Sequence, residues 1–234
     1  MFARSNQSLG STRAYIYSEV EVVHVDRMTE FPKPIVVVSK CIEFQSVRWN
    51  SEIISSDLVR RLKHCVNLIH ICPEVEIGLS VPRAPLRVIS FDGKLRLVQP
   101  DPEIDLTDKM VEFAESFLNS LPAVDGFILK SNSPSCALRD AKVYLNRQEP
   151  ALTARGPGLF GKKVLREYPH MAVEDEKRLE NPLTAKRFLK RVFTAARLRQ
   201  DKASTLPKTR EGLKPGRRVL HHAGSTVRSR RKIG

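Results

Sequence analysis

Four consecutive β-branched residues constrain this chain more than any other feature of its sequence. The run Ile35-Val36-Val37-Val38 is continuous rather than alternating in polarity, which is typical of a strand buried on both faces. Short apolar runs recur at 66–71 and 126–129, and helical patterns lie between them. Strands that alternate with helices predict an α/β fold, with a mainly parallel sheet flanked by helices.

Local signals add a hairpin and two helices to this fold. Asp92-Gly93 separates two apolar runs and predicts a β-hairpin. An amphipathic helix follows Asp105, because the apolar residues from Met110 to Leu121 recur at helical spacing. Asn181-Pro182 opens a further helix, with proline in the favoured first turn.

The net charge of +14 is unevenly placed along the 234 residues. Residues 33–154 are neutral overall, whereas residues 155–200 carry +7 and residues 201–234 carry +8. Charge segregated in this way predicts a C-terminal region that contacts a polyanion such as nucleic acid. A solvated basic tail without a partner is the alternative.

Composition and charge together divide the chain into four predicted segments. They are an N-terminal extension (1–32), an α/β domain (33–155), a short helical extension (156–200) and a basic, largely disordered tail (201–234). A translation start at Met28 is a hypothesis for the first segment. No apolar run approaches the roughly 20 residues of a membrane span, and no signal peptide is recognisable. We therefore expect a cytoplasmic protein with reduced or metal-bound cysteines.

Three of the four cysteines lie at or just past the end of a predicted buried strand: Cys41, Cys72 and Cys136. The carboxyl ends of parallel strands meet at one edge of a sheet, so we expect these thiols to share a crevice. Three thiolates fit a [4Fe–4S] cluster with one iron free of cysteine. Three small buried side chains without a metal are the alternative. Cys65 falls within a predicted helix and is interpreted as core.

Polar residues beside the cysteines complete the candidate site. Glu74 lies two residues past Cys72 and is a candidate for proton transfer, or else forms a surface ion pair. Residues 131–136 are rich in hydroxyls that suit substrate or cluster contacts, and also suit a plain turn. Lys130 and Arg83 are candidates for offsetting the negative charge of a thiolate-ligated cluster.

Several motifs, taken in order, resemble those of the thiouracil desulfidase family. They are Ser39-Lys40-Cys41, Val47-Arg48-Trp49, Cys72-Pro73-Glu74-Val75-Glu76-Ile77-Gly78-Leu79, Pro82-Arg83 and Lys130-Ser131-Asn132-Ser133-Pro134-Ser135-Cys136. The resemblance covers about residues 33–155, so the α/β domain is interpreted as a desulfidase-like iron–sulfur domain. It departs from the family at Asn50-Ser51, where Asp-Gly is usual, and at Ala137, where glycine is usual.

The resemblance implies a fold, a cofactor and a reaction. The fold is α/β, and an oxygen-sensitive [4Fe–4S] cluster is held by Cys41, Cys72 and Cys136. The reaction is a non-redox desulfuration, in which water replaces the sulfur of a thiolated pyrimidine and sulfide leaves. Glu74 would transfer protons and Ser133 would position the substrate. The further candidates for substrate binding are Arg48, Ser135, Lys130 and Arg83.

The substrate and the C-terminal region leave alternatives open. Thiouracil, thiouridine and thiolated tRNA all satisfy the motifs. Residues from 156 to about 199 are similar to the linker of longer relatives, whose C-terminal helical domain is associated with thiouridine in tRNA. We expect that domain to be missing here. Two other functions remain: an RNA-binding protein with a structural or inactive metal site, and a zinc or thiol redox protein.

Overall fold

The computed structural model describes residues 32–145 and 152–205. The elements in chain order are β1 (Ile35–Ser39), α1 (Asp57–Leu62), β2 (Asn67–Ile71), α2 (Pro73–Glu76), β3 (Arg87–Phe91), β4 (Lys94–Pro100), β5 (Glu103–Asp105), α3 (Thr107–Ser120), β6 (Gly126–Leu129), β7 (Ala141–Tyr144), β8 (Leu152–Gly156), α4 (Leu159–Glu167), β9 (Ala172–Asp175), a 3-10 turn (Arg178–Glu180) and α5 (Pro182–Thr205). The predictions for 1–31, including the start at Met28, and those for 206–234 lie outside the described residues.

A four-stranded parallel sheet in the order β2-β1-β6-β9 forms the centre of the fold. Val36, Val37 and Val38 of β1 are fully buried, because this strand has a neighbour on each side and packed layers on both faces. The predicted α/β fold with a parallel sheet is confirmed. All four strands end at the same edge, so whatever follows them is brought together there.

A second sheet is mixed and has the strand order β5-β4-β3-β7-β8. The sequence patterns predict one sheet and do not distinguish this second sheet from it. The predicted hairpin is its β3–β4 pair, which is antiparallel. Asp92 and Gly93 connect the two strands with φ values of 49° and 71°. Positive φ at both central residues is what a tight primed turn requires, and Asp-Gly is a favoured pair for it.

Two hydrophobic clusters fill the space on either side of the parallel sheet. One contains Val37 and Phe127 together with residues of the mixed sheet, α3 and α4. The other contains Val36, Val38 and Ile128, with residues of α1 and α5. Consecutive side chains of β1 and β6 thus point into different layers, as the twofold periodicity of a strand dictates.

Residues beyond 155 are joined to the parallel sheet. β9 pairs with β6 along its whole length, from Gly126 opposite Ala172 to Leu129 opposite Asp175. Helix α5 is anchored by Arg199, whose guanidinium donates to the buried Asp125 carboxylate at 2.8 and 3.1 Å. Residues before and after the predicted domain boundary at 155 therefore pack against each other.

Helix α5 extends a short way into the segment predicted as the basic tail. It begins at Pro182 as expected, but it continues to Thr205, so residues 201–205 are helical. Its N-terminus is capped by Asn181, whose Oδ1 accepts from the backbone N–H of Leu183 at 3.0 Å and of Thr184 at 3.1 Å. No helix within the described ranges is long and apolar enough to cross a membrane.

Candidate active site

The three cysteines predicted to meet do so at the carboxyl edge of the parallel sheet. Cys41 follows β1, Cys72 follows β2 directly as the residue before α2, and Cys136 lies in the loop after β6. All three are buried, with exposed fractions of 8%, 8% and 5%. They lie close enough together that ionisation of one thiol hinders ionisation of another, so they form a single group.

Burial holds these thiols in the neutral form. Desolvation, and then repulsion from Cys72, raises the pKa of Cys41 to about 12. Burial likewise raises the pKa of Cys72. Burial, followed by the charges of Cys41 and Cys72, raises the pKa of Cys136 well above its usual value. Thiolates so close together need a cation to offset their charge, and metal binding would displace their protons.

The chemistry of this donor set fits an iron–sulfur cluster. A cluster is held by thiolates, and each cysteine binds a separate iron atom. The ligands of a cluster therefore need not converge on one point, as the ligands of a single ion must. Within the described ranges, no three His, Cys, Asp or Glu side chains converge in that way.

Glu74 is held by a buried network on the β2 side of the cysteines. Its Oε2 accepts from Arg83 Nε at 3.0 Å and from Arg83 Nη2 at 2.6 Å. Its Oε1 accepts from the hydroxyl of Ser135 at 2.9 Å. The sequence predicts substrate contacts for Arg83 and Ser135, whereas the structure uses both side chains to orient Glu74.

Arg83 also joins its own loop, between α2 and β3, to the loop between β1 and α1. Its Nη2 donates to the carbonyl of Val47 at 2.9 Å and its Nη1 donates to that of Ser80 at 3.0 Å. Its backbone N–H donates to the carbonyl of Trp49 at 3.1 Å. Cys72 Sγ lies 3.9 Å from the same Val47 carbonyl. Arg83 therefore fixes the loop segment that lies beside this thiol.

Ser133 lies at the centre of the loop that carries Cys136. Its Oγ accepts from the backbone N–H of Cys136 at 3.0 Å and of Ser135 at 3.2 Å. A hydroxyl oxygen has two lone pairs, so both are used. The hydroxyl proton of Ser133 then remains available for donation to a ligand.

Lys130 forms a second buried network on the β9 side. Its ammonium donates to Glu176 Oε1 at 2.5 Å, to the Ser131 carbonyl at 2.9 Å and to Ser131 Oγ at 3.1 Å. An ammonium has three donors, so the structure uses all of them within the protein. The sequence predicts a substrate contact for Lys130, and in this conformation it has no donor left for one.

Glu176 is a residue of the site that sequence reasoning missed. It lies just past β9, at the edge where the cysteines follow β1 and β2. The rule that located the cysteines would have located Glu176 as well. The strand β9 went unrecognised because Ala172–Asp175 carries two acidic residues and no apolar run.

Helix α4, which also lies beyond residue 155, packs against the loop that carries Cys136. The N–H groups of Gly158, Leu159 and Gly161 donate to the carbonyls of Ala137, Pro134 and Ser135 at 2.8, 3.2 and 3.0 Å. A Cβ at Gly158 would lie 2.5 Å from the carbonyl oxygen of Ser135, and one at Gly161 would overlap that of Ala137. Glycine at both positions is what allows the helix to approach so closely.

Arg48 is the most accessible of the predicted substrate contacts. It lies in the loop between β1 and α1, where it pairs with Glu52 and its positive charge acts on Cys41. Within this loop Ser51 has a φ of 58°, the left-handed region that favours glycine. This is the position where the family usually has glycine. Ala137, the other departure from the family, has no such φ.

The family is shown by comparison with known proteins. The model of the 2-thiouracil desulfurase family matches residues 36–176, more than half of the chain. The chain therefore belongs to that family. The match ends at Glu176 and so includes β9, which the boundary at 155 leaves out.

Two relatives are informative. The solved structure of the [4Fe–4S]-dependent thiouracil desulfidase TudS matches with 28% identity and a TM-score of 0.52, covering 68% of this chain and 99% of that one. The uncharacterized protein YbbK of Bacillus subtilis (strain 168) is 30% identical over 110 residues, 44% of this chain and 72% of its own length. The first of these is the relative whose name states a cofactor and an activity.

Proposed function

We propose that this protein is a [4Fe–4S]-dependent desulfidase that removes sulfur from a thiolated pyrimidine, the class that includes thiouracil, thiouridine and thiolated tRNA. The observation that carries the proposal is the meeting of Cys41, Cys72 and Cys136 beside Glu74. Membership of the family and the likeness to TudS support it. The three cysteines would hold the cluster, which would supply an iron atom free of cysteine as a Lewis acid for sulfur.

The overall reaction needs no oxidant or reductant. A carbon–sulfur bond breaks, a carbon–oxygen bond to water forms, and the two protons of water leave with the sulfide. One of these protons must pass through a base close to the reacting carbon. Glu74 fits this role, because its Oε1 accepts only from Ser135 and keeps a lone pair for the proton, whereas Arg83 donates twice to Oε2.

Ser133 and Arg48 complete the proposed chemistry. The free hydroxyl proton of Ser133 would stabilise negative charge that develops on the ring during attack by water. Arg48 is partly exposed, and it would contact a substrate by giving up its ion pair with Glu52. We retain the cytoplasm as the proposed location, since free thiols persist there.

The experiment is sulfide release from 2- or 4-thiouracil by protein purified and reconstituted without oxygen. Iron and sulfide analysis with the absorbance near 400 nm establishes the cluster first, with Cys136→Ala as the variant expected to lose it. Cys65→Ala is the matched control, because Cys65 lies outside the group and is half-buried. Absence of sulfide release while the wild-type cluster is intact would refute the activity.

A zinc or thiol redox protein is distinguished by the same metal analysis. Zinc bound without iron or inorganic sulfide would favour that function over the desulfidase.

We also propose that the exposed side of α5 contacts nucleic-acid phosphate, as the charge distribution predicts. Lys186, Arg187 and Lys190 are exposed on α5, and no acidic side chain of the described ranges pairs with them. Three such cations beside a C-terminal region of high positive charge suit a polyanion.

Binding of unmodified tRNA at several salt concentrations tests this surface. The triple variant K186E/R187E/K190E should weaken binding and flatten its salt dependence, by up to about 0.7–0.9 per lost phosphate contact in the log–log slope. Cys136→Ala should bind like wild type. Binding that is equally tight in the triple variant would move the contacts away from α5.

A further inference from the structure

Glu176 has no role in the proposed chemistry, yet it is one of the most buried charged groups among the residues that the structure describes. It is 4% exposed. It lies beyond the segment with the recognisable motifs, and it reaches the cysteine site only because β9 pairs with β6. Its position therefore requires an explanation other than a surface ion pair.

The contacts of Glu176 lead to the loop that carries Cys136. Its Oε2 accepts from the backbone N–H of Ser131 at 2.8 Å and its Oε1 accepts from the Ser131 hydroxyl at 2.6 Å. Ser131 is 1% exposed and is the first residue after Lys130. Both carboxylate oxygens therefore bind the same residue, and together they fix the position and the orientation of Ser131.

The loop beyond Ser131 is held by similar contacts. The N–H of Asn132, which has a φ of 52°, donates to Asp140 Oδ1 at 2.8 Å. Ser133 Oγ then binds the N–H groups of Ser135 and Cys136. Because these contacts follow each other along six residues, a shift at Ser131 would be passed on to Ser133 and Cys136.

We propose that Glu176 is a positioning residue that fixes the 131–136 loop through Ser131, and so sets where Ser133 and Cys136 lie. This inference rests on the proposed function only for its consequence, which is retention of the cluster. Lys130 then serves to balance the charge of Glu176. Groups that orient metal ligands in this way typically contribute about 10- to 100-fold to metal affinity.

Hydrogen exchange of the metal-free protein tests the positioning without a cluster. In Glu176→Gln we expect amide exchange to rise about tenfold or more at 131–137, while exchange in β6 and β9 stays unchanged. Glu180→Gln is the matched control, because Glu180 is exposed in the next turn of the chain. Unchanged exchange at 131–137, or an equal rise in β6 and β9, would overturn the proposal, the latter because it would indicate a purely structural role.

A double variant separates positioning from charge balance. K130M/E176M removes both acceptor oxygens but leaves no buried charge unpaired, so exchange at 131–137 should stay high. Exchange restored to wild type would mean that only the charge balance matters. In reconstituted protein, Glu176→Gln should lose its 400-nm absorbance to excess EDTA about 10- to 100-fold faster. Wild type that binds no iron would refute the proposed cofactor and leave the exchange result standing.

Discussion

Two buried ion pairs flank the three cysteines, and they differ in origin and in use. Glu74 and Arg83 lie on the β2 side, with side chains 12% and 3% exposed, and both come from motifs that the sequence displays. Glu176 and Lys130 lie on the β9 side, with side chains 3% and 10% exposed, and Glu176 directly follows a strand that the sequence did not reveal.

The difference lies in what each carboxylate accepts from and how exposed it is. Each accepts three hydrogen bonds and keeps one lone pair. Glu74 accepts from side chains alone, and it is the more exposed of the two carboxylates, so its free lone pair is the one that a substrate can reach. Glu176 accepts from the backbone N–H and the hydroxyl of Ser131, the residue that begins the Cys136 loop. The first pair therefore has a group available for proton transfer, while the second is suited to holding a loop.

The largest effect should come from the carboxylate on the β2 side. Glu74→Gln removes the proposed proton acceptor but keeps the contact with Ser135, so we expect the rate of sulfide release to fall about 10²- to 10⁴-fold at unchanged iron content. Glu76→Gln, on the same helix but more exposed, is the matched control and should stay active. A fully active Glu74→Gln enzyme would remove the proposed distinction between the pairs.

Removing either cation should lower stability by about 3–5 kcal/mol, because each variant leaves a buried carboxylate unpaired. The pairs should differ when both charges are removed. R83M/E74Q should recover more of the loss than K130M/E176M. Glutamine at position 74 still accepts from Ser135 and the Ser80 carbonyl is open to water, whereas K130M/E176M leaves the N–H and the carbonyl of the buried Ser131 without partners. Urea unfolding of the metal-free proteins measures this. Equal recovery in both double variants would show that the pairs are equivalent.

The thiols between the two pairs should make the metal-free protein sensitive to alkali. An unfolded Cys41 ionises near its ordinary pKa of 9.0, while the folded one keeps its proton up to about 12. The folded state therefore binds more protons in this window, and stability falls as the pH rises from 9 towards 12. Cys41→Ser should show a shallower fall in urea unfolding under reducing conditions. A parallel fall in both proteins would contradict the raised pKa.

The smallest effect concerns the loop that Arg83 holds. Ser51→Gly should raise stability by about 1 kcal/mol, because glycine adopts the observed φ of 58° without the strain of a side chain. Ser46→Gly, at an exposed position of the same loop without positive φ, should not stabilise. Thermal unfolding distinguishes them, and a destabilised Ser51→Gly would show that the Ser51 side chain has another role.

The sequence predicted the β2 side of the site better than the β9 side. The apolar runs located β1, β2 and β6, and the rule that parallel strands end together placed Cys41, Cys72 and Cys136 in one crevice. The partners of Arg83 and Lys130 could not be predicted, since 9 and 46 residues separate them from Glu74 and Glu176. Strand β9 was missed because half of its residues are acidic.

By itself the sequence determined the α/β class, the order of the main elements and the three cysteines at strand ends. These properties follow from hydrophobic periodicity and turn chemistry, which act between neighbours in the chain. The tertiary structure decided that β9 and α4 complete the site, that Arg83 and Ser135 orient Glu74, and that Lys130 is paired with Glu176. Those contacts depend on which strand lies beside which, a choice made by the packing of the whole sheet and not by any local run of residues.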